Sequence, residues 1–330
     1  MNSLDVVGVG NAIVDVLAQA DDAFLASHSI PKGGMILIDE DQAKTIYGGM
    51  APGVEVSGGS AANSIACIAS LGGRAGFVGK VAKDNLGDIF RHDLRSMGVQ
   101  FDTAPLEKGP GTARCLVNVT PDAQRSMTTY LGAAGFVSEY DIEKPLISSS
   151  AITFFEGYLF DQPVARNAFV KACDFAKAAG KRAALTLSDA GLVDRQHDAL
   201  VSFIGEHVDI LLANEHEAQT LFETDDLEIM AERARALCPL TAVTMSERGS
   251  LLVPRGGAPV RVAAKKPEKL VDTTGAGDAY AAGLLFGLAR DLSLETSGAL
   301  GALAAAEVIS HFGARPQADL RSLAEKAGLL

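Results

Sequence analysis

Residues 272–278, with the sequence DTTGAGD, combine small residues with carboxylates in a pattern that favours specific chemistry. Gly275, Ala276 and Gly277 leave their backbone N–H groups uncovered just where an apolar run, AYAAGLLFGLA, predicts a helix. Bare amides at a helix N-terminus attract anions, and Asp278 adds a carboxylate in the first turn. Phosphoryl transfer to an alcohol requires such an anion cradle beside a general base. A simple turn followed by an N-terminal helix acid is the alternative interpretation.

Two other glycine loops fit nucleotide-binding patterns poorly. Residues 8–13, GVGNAI, begin like a dinucleotide-binding loop, but Ile13 stands where the third glycine belongs, and a strand pattern follows. Residues 74–81 contain a Gly-Lys pair, yet Arg74 replaces the first glycine of a P-loop and Val81 replaces its magnesium-binding hydroxyl. The sequence therefore disfavours an NAD-dependent oxidoreductase and a P-loop enzyme.

A further loop, SGGSAAN at residues 57–63, opens a helix pattern. Its two glycines allow a ligand to approach the backbone closely, and the Asn63 amide can both donate and accept hydrogen bonds. A serine N-cap with packing glycines explains the loop equally well, so both interpretations stay open on the residues alone.

Strand and helix patterns alternate along most of the chain. Short apolar runs predict strands, and helical spacing between them predicts a parallel sheet that is covered by helices on both faces. Ligands bind such sheets at the carboxyl ends of the strands. The predicted strands are 5–10, 75–79, 151–155, 183–187, 208–213 and 241–245. The predicted helices are 60–72, 85–97, 163–179, 198–206, 215–222, 226–237, 276–290, 293–311 and 319–328.

Two stretches, 13–38 and 112–131, alternate apolar and polar residues and predict exposed strands joined by turns. They favour a small β-sheet outside the main layers, in the position of a lid. We therefore expect a large α/β domain formed by 1–12, 39–111 and 132–330, and a small lid domain formed by the two alternating stretches.

The composition narrows the class of protein. The 330 residues carry 29 Lys and Arg against 41 Asp and Glu, which argues against nucleic acid as a partner because phosphate binding needs basic patches. The N-terminus is a poor signal peptide, and the longest apolar run, at 279–289, is far shorter than the about 20 residues of a membrane span. Four scattered cysteines predict buried, reduced thiols. We expect a cytoplasmic protein that has no membrane partner.

The DTTGAGD loop and its helix resemble the signature of the PfkB, or ribokinase-like, family of carbohydrate and nucleoside kinases. GGSAANSIACIASLGG is similar to the N-terminal signature of that family, and GNAIVD, NEHE (214–217) and VTMSERGS (243–250) match its order and spacing. The resemblance spans nearly the whole chain. It implies a three-layer α/β/α fold with a mostly parallel central sheet and a small β-sheet lid.

Further segments are most similar to the branch of the family that phosphorylates adenosine, particularly its bacterial members. The stretch 186–191 lacks a nearby aromatic residue that known members of this branch place against the base, which argues against the assignment. Ser246, where many sugar kinases of the family carry glycine, argues for it. The similar segments are KGGMILIDEDQ (32–42), PGVEVSGGSAANS (52–64), DAQRSMTTYLGAA (122–134) and AAAEVISHFGARP (304–316).

The resemblance implies roles for the reacting groups. Asp278 is expected to take the proton of the acceptor hydroxyl. The amides of Gly275, Ala276 and Gly277 are expected to hold the transferring phosphoryl group. Arg125 is expected to clamp that group from the lid, and a guanidinium suits this role because it is always charged and can bind in a bidentate manner.

The resemblance also implies an acceptor pocket. Asp15 is expected to accept hydrogen bonds from a vicinal diol, since one carboxylate has acceptor sites enough for both hydroxyls. The other expected acceptor contacts are polar at Asn11, Gly59 and Asn63 and apolar at Met35, Leu37, Met127 and Leu131, with Tyr158 as a further aromatic wall.

For the ATP side, the resemblance implies that Asn214 and Glu217 organise Mg²⁺ and its waters. Asp272 and Thr274, with carbonyl groups near 308–313, resemble a K⁺ site that some family members use. The residues expected along ATP itself are Thr244, Glu247 and Gly249.

The resemblance thus predicts an ATP- and Mg²⁺-dependent kinase that phosphorylates the 5′-hydroxyl of adenosine, as a monomer or homodimer. Two alternatives remain open. One is a sugar kinase of the same fold, acting on ribose, fructose or 2-keto-3-deoxygluconate. The other is a catalytically silent sensor that binds a nucleoside or sugar, against which the intact Asp278 and glycine loop argue.

Overall fold

The computed structural model describes residues 3–122 and 124–330, and within them the strands form two sheets. The strands are β1 Leu4–Val9, β2 Ile13–Gln19, β3 Met35–Leu37, β4 Val54–Gly58, β5 Ala75–Val78, β6 Ala113–Val119, β7 Arg125–Tyr130, β8 Ser150–Glu156, β9 Arg182–Thr186, β10 Ile210–Asn214, β11 Leu240–Thr244, β12 Ser250–Pro254 and β13 Val260–Val262. The α-helices are α1 Asp22–Ser27, α2 Glu40–Gly49, α3 Ser60–Ser70, α4 Asn85–Ser96, α5 Lys144–Ser148, α6 Pro163–Ala178, α7 Ala190–Arg195, α8 His197–His207, α9 Glu215–Phe222, α10 Leu227–Leu237, α11 Ala276–Ala289, α12 Leu294–Val308 and α13 Leu320–Lys326.

The large sheet has the strand order β13-β12-β11-β10-β9-β8-β1-β5. Its strands from β5 to β11 are parallel, and β12 and β13 extend it in antiparallel fashion. Helices cover both faces, so neighbouring residues of one strand enter different cores: Phe154 packs with α3, α11 and α12, and Phe155 packs with α6, α8 and α10. This three-layer α/β arrangement confirms the predicted fold class.

The small sheet has the strand order β3-β7-β6-β2-β4. Helices α1 and α2 cover one face, where Val16, Leu25, Ile46 and Leu116 form a separate small core. The opposite face carries Asp15 and faces the large sheet's loops. Because β1 passes through residues 10–12 directly into β2, the two sheets meet at the carboxyl end of β1.

The structure corrects several details of the sequence-based expectation. Strand β4 lies in the range that we assigned to the large domain, yet it pairs with β2 of the small sheet. The stretch 13–38 contains helix α1, which Asp21 caps by accepting a hydrogen bond from the Phe24 amide. Strand β6 is mostly buried rather than exposed, because α2 and the neighbouring strands cover it. Helices α2 and α7 and strands β12 and β13 were not predicted.

All four cysteines are buried free thiols, as the sequence predicts. None of the helices that the structure describes has the length and hydropathy needed to span a bilayer.

Candidate active site

The polar residues of the site gather where the parallel strands of the large sheet end. Glu156 ends β8, Asn214 ends β10 and Thr244 ends β11, while Asn11 follows β1. Parallel strands present their carboxyl ends at one edge, and ligands bind at that edge in open α/β sheets. The loops that enter α3 and α11 reach the same edge, which joins the two glycine loops of the sequence.

Asp278 lies in the first turn of α11 and is held by the first turns of α3. Ser60 Oγ donates to Asp278 Oδ1 at 2.6 Å, and Asn63 Nδ2 donates to Oδ2 at 3.1 Å. Burial raises the pKa of Asp278, while these two hydrogen bonds and the charge of Arg315 lower it. Both carboxylate oxygens keep a further lone pair, so Asp278 can accept a proton from a hydroxyl group at this point.

An anion cradle adjoins Asp278. Gly275 adopts a left-handed conformation with φ +77°, and a Cβ there would lie 2.6 Å from the Ala314 Cβ, so the position requires glycine. Among the described residues, the Gly277 and Asp278 amides have no acceptor, and a Cβ at Gly277 would meet nothing within 4 Å. Open space in front of two free N–H groups at a helix N-terminus is suited to a phosphoryl group. Ala276 N donates instead to the Thr273 carbonyl at 3.2 Å.

Asp15 approaches the same place from β2 of the small sheet. Burial raises its pKa to about 6, against the opposing charges of Arg315 and Arg125. Gly58 makes room for it, since a Cβ there would lie 2.3 Å from Asp15 Oδ2. No described residue donates a hydrogen bond to this carboxylate, so both of its oxygens remain available to a ligand's hydroxyl groups.

Glu156 fixes the loop between the two sheets. Its carboxylate accepts from the Asn11 side chain at 2.5 Å, from the Asn11 amide at 3.3 Å and from the Ala61 amide at 3.0 Å. Burial raises the pKa of Glu156 to about 7. Gly59 also touches this loop, because it has φ +94° and a Cβ there would lie 2.3 Å from the Asn11 carbonyl oxygen. Glu156 was not among the predicted site residues, although its position as a lone acid at the end of the apolar run AITFF was a usable signal.

Three of the four residues expected to line an apolar slot lie on the strands of the small sheet. Between β3 and β7, Met35 pairs with Met127 and Leu37 pairs with Thr129. Thr129 pairs in turn with Cys115 of β6, and Cys115 pairs with Asp15 of β2. Directly paired residues share a face, so Leu37 and Asp15 are on one face, three strand spacings or roughly 14 Å apart. Met35 is 48% and Leu37 62% exposed, which leaves this apolar surface open. Leu131 follows β7 directly and is partly buried.

A cavity of about 960 Å³ lies at the end of this face that is distant from Met35 and Leu37. Leu17, Val54 and Val119 of the small sheet line it together with Arg125 and the exposed ring of Phe312. Its volume suits a small-molecule ligand. None of the four residues expected for the apolar slot lines it, so the structure offers two adjoining apolar surfaces rather than one.

Arg125 does not point at the anion cradle in this structure. It forms an ion pair with Asp272 and donates to Thr274 Oγ1 at 3.0 Å. Asp272 also accepts from the Thr274 amide at 3.1 Å and from the Gly313 amide at 3.0 Å. The carboxylate that the resemblance places at a K⁺ site is thus already engaged by donors from three residues.

Asn214 and Glu217 form a reciprocal cap at the start of α9. Asn214 donates through its amide and side chain to the Glu217 carboxylate, at 3.0 and 2.6 Å, and Glu217 N donates to Asn214 Oδ1 at 2.9 Å. Burial and, to a smaller extent, the charge of the neighbouring Asp189 raise the pKa of Glu217 to about 7. A divalent cation with its water shell stabilises the ionised forms of nearby carboxylates. The buried Glu217 carboxylate, which has that of Asp189 as a neighbour, therefore suits such a cation.

The remaining residues expected along ATP surround the turn after β11. Thr244 ends that strand, and Gly249 has φ +83° in a turn so tight that a Cβ would lie 2.0 Å from the Val262 carbonyl oxygen. Glu247 lies between them on the surface, in the 3₁₀ helix Ser246–Arg248. The structure therefore brings together two groups, one around Asp278 and Asp15 and one at the ends of β10 and β11.

Arg315 belongs to the first group and was missed by the sequence analysis. Its Nε donates to Asn63 Oδ1 at 3.2 Å, and its Nη1 donates to the Ser57 hydroxyl. The neighbouring residues in GARP (313–316) do not indicate a role for this arginine, because its partners are more than 250 positions away along the chain.

The sequence pattern of the pfkB family of carbohydrate kinases matches residues 50–320. The chain is 48% identical to the crystallised adenosine kinase of Sinorhizobium meliloti, with a TM-score of 0.91 over 98% of this chain and 99% of that one. It is 44% identical to a probable sugar kinase of Rhizobium etli, with a TM-score of 0.92 over the full length of both. It is also 28% identical to adenosine kinase 2 of Arabidopsis thaliana, over 93% of this chain and 94% of that protein.

Proposed function

The chain is an ATP-dependent kinase of the PfkB family, and we propose that its acceptor is the 5′-hydroxyl of adenosine. The observation that carries the proposed transfer to a hydroxyl group is the carboxylate of Asp278, held by Ser60 and Asn63 beside the free amides at the start of α11. The relatives from S. meliloti and A. thaliana, both named adenosine kinases, support the choice of acceptor.

In the proposed reaction, Asp278 takes the proton of the acceptor hydroxyl as its oxygen attacks the γ-phosphorus of ATP. The bond from the γ-phosphorus to the bridging oxygen breaks, and ADP leaves with the electron pair. The Gly275, Gly277 and Asp278 amides would stabilise the negative charge on the transferring group, because none of them has an acceptor among the described residues. When the substrates bind, Arg125 would leave its ion pair with Asp272 and contact the negatively charged phosphoryl group instead.

Asp15 would accept hydrogen bonds from the ribose 2′- and 3′-hydroxyls, and Asn11, Gly59 and Asn63 would border the same pocket. The adenine ring would lie on the apolar face of the small sheet that carries Met35, Leu37, Met127 and Leu131, near Tyr158. These residues are two to three strands from Asp15, which is within reach of a nucleoside whose ribose is bound there.

Mg²⁺, held through water by Glu217, would neutralise charge on the triphosphate. Asn214 orients the Glu217 carboxylate in the cap of α9. Thr244, Glu247 and Gly249 would line the nucleotide at the end of β11. We propose further that the small sheet closes over the acceptor as a lid, which would exclude water and limit ATP hydrolysis.

A sugar kinase is the second candidate, because the R. etli relative is named a probable sugar kinase and is nearly as similar. A sugar would use the Asp15 and Asp278 carboxylates without the apolar face. The two candidates therefore share their catalytic group and differ in what the small sheet contacts.

The test is ADP release from MgATP with adenosine, inosine, guanosine, ribose, fructose and 2-keto-3-deoxygluconate as acceptors. We expect selective turnover of adenosine. Selective turnover of a sugar would retain Asp278 and the amide cradle but reject the adenine site. Binding of an acceptor without turnover would favour the sensor alternative.

A further inference from the structure

The loop Gly313–Arg315, between α12 and α13, contacts three separate parts of the candidate site. The Gly313 amide donates to Asp272, which lies at the start of the DTTGAGD loop. Ala314 packs against Gly275 so closely that no side chain fits there. Arg315 reaches α3 and strand β4. One short loop thus supports the amide cradle, the helix that holds Asp278 and the strand next to the junction of the two sheets.

The guanidinium of Arg315 sets the orientation of the Asn63 amide. Arg315 Nε donates to Asn63 Oδ1, so the carbonyl side of this amide must face the arginine. The NH₂ side is then turned to Asp278, to which it donates at 3.1 Å. The arginine therefore acts on Asp278 through Asn63, and its positive charge polarises that amide into a better donor.

The other arm of Arg315 reaches the junction between the sheets. Its Nη1 donates to Ser57 Oγ, and Ser57 in turn donates through its hydroxyl and amide to Asp93 of α4, both at 3.0 Å. Ser57 lies in β4, directly before the two glycines that lead into α3. The same side chain thus ties the small sheet to the helix that holds Asp278. Its Nη2 is buried and has no partner among the described residues.

Arg315 also supplies positive charge where the site is otherwise acidic. The titratable groups that face Asp278 are Asp15 from β2, Glu156 at the end of β8, Tyr158, Cys67 of α3 and Arg315. Four of these five groups are neutral or negative. Arg315 lowers the pKa of both Asp278 and Asp15, which burial raises.

We propose that Arg315 is a positioning residue for phosphoryl transfer, which holds Asn63 against Asp278 and keeps that carboxylate aligned with the acceptor hydroxyl. The proposal rests on the function proposed above, in which Asp278 is the general base. It adds a group outside the signature motifs, and it assigns the Asn63 amide a role between the arginine and the base.

The test compares Arg315→Gln, which removes the charge, with Arg315→Lys, which keeps it, in the full-length chain with MgATP and adenosine. Arg182→Gln is the matched control, because Arg182 is also a partly buried arginine but bonds to the Leu288 carbonyl at the opposite end of the strands. We expect Arg315→Gln to lower kcat roughly 100-fold, as small displacements of reacting groups do. The KM for ATP should stay unchanged.

The pH profile separates positioning from a merely structural role. Without the guanidinium, the pKa of Asp278 rises further, so the acid limb of kcat should move to higher pH in Arg315→Gln. In Arg315→Lys this limb should stay at the wild-type pH, while kcat stays below wild type because the ammonium group lacks the planar fork. A kcat of Arg315→Gln that equals that of Arg182→Gln, or a loss with no shift of the limb, would overturn the proposal.

Two further variants distinguish the failure of this proposal from failure of the proposed function. If Asp278→Asn keeps wild-type turnover, the general base is misassigned and the proposed function fails with it. If Asp278→Asn is inactive while Arg315→Gln is normal, only the role of Arg315 fails. Above the pH of the acid limb, where Asp278 is ionised in every variant, Arg315 acts through Asn63 alone, so the double variant of Arg315→Gln and Asn63→Ala should be no slower than the slower single variant. Independent, additive losses would contradict the relay.

Discussion

The two sheets of this protein differ in how many of their faces are covered. The strands of the large sheet are buried on both faces, as Phe154 and Phe155 illustrate, and the polar groups of the candidate site lie at the strand ends. The small sheet has a single covered face and leaves Met35, Leu37 and Val54 exposed on the other side. The large sheet fixes groups in place, whereas the small sheet presents an open surface.

The same contrast holds for the two carboxylates of the site. Asp278, supported by the large sheet's layers, is already held by two hydrogen bonds. Asp15, on the small sheet, receives none from the described residues, although it is desolvated enough to raise its pKa to about 6. A group fixed in advance suits catalysis, since it needs no reorganisation during the reaction. A group left unpaired suits binding, because the ligand supplies its missing partners.

The largest effect should come from the fixed carboxylate. Asp278→Asn keeps the shape of the side chain, with its carbonyl oxygen accepting from Asn63 and its NH₂ group donating to the Ser60 hydroxyl, but it removes the base. We therefore expect kcat to fall about 10³- to 10⁴-fold, at the upper end of the contribution from general base catalysis. Adenosine binding, measured by calorimetry, should change little. Wild-type turnover in this variant would remove the basis for calling the large sheet the catalytic half of the site.

The next effect contrasts the two sheets in stability. Phe154→Ala should lower the free energy of unfolding by about 3–5 kcal/mol, because it empties a fully buried position. Leu37→Ala, on the open face, should change it by less than about 0.5 kcal/mol. Denaturant unfolding measures both. Equal losses would show that the small-sheet face is covered in solution, for example by a second copy of the chain.

Substitution of Asp15, which has no hydrogen-bond donor among the described residues, should weaken acceptor binding without lowering stability. Asp15→Asn should raise the KM for adenosine roughly 10- to 100-fold, the value of one hydrogen bond to a charged group, and leave the KM for ATP unchanged. Because folding raises the pKa of Asp15 from 3.8 to about 6, its ionised form destabilises the protein increasingly as pH rises through that window.

The same variant should therefore unfold at a higher temperature than wild type above about pH 6. This difference should shrink as the pH falls towards about 4. Thermal unfolding at several pH values in the absence of ligand measures it. A variant that is less stable than wild type at neutral pH would identify Asp15 as a structural group.

The smallest effect tests whether the adenine ring lies on the open face of the small sheet. Met127→Ala should raise the KM for adenosine about tenfold, the value of a side chain's apolar contact, and should leave ribose, if it is used at all, unaffected. Leu17→Ala, at the cavity beside Phe312, is the matched control and should have little effect. The reverse result would move the adenine ring into that cavity.

Much of the fold could be predicted because the large sheet is locally encoded. Its strands are apolar runs and its helices have helical spacing, so most observed elements, such as α3 and β8, fall within a few residues of the predicted ones. Strand β4 was missed because only its long-range pairing with β2 makes it a strand. Helices α1 and α2 are short and packed against the small sheet, which supplies stability that their sequences do not announce.

The site divides in the same way. The predicted Asp278 loop and the loop before Asn63 do meet, and Ser60 and Asn63 join them. Glu156 could have been suspected from its place at the end of an apolar strand, but its partners Asn11 and Ala61 could not. Arg315 could not be recognised, because its role depends on partners that are distant in sequence. Arg125 was predicted as a clamp, but in this structure it pairs with Asp272.

By itself, the sequence determined the alternation that builds a parallel sheet, the small residues that leave amides bare at α11 and the carboxylate that follows them. These properties depend on neighbours within one or two turns of chain, so local patterns express them. Only the tertiary structure decided that one face of the small sheet stays open, that Asp15 is desolvated but unpaired, and that Arg315 links Ser57 and Asn63. Burial and charge arise from groups distant in sequence, and folding alone brings those groups within reach of one another.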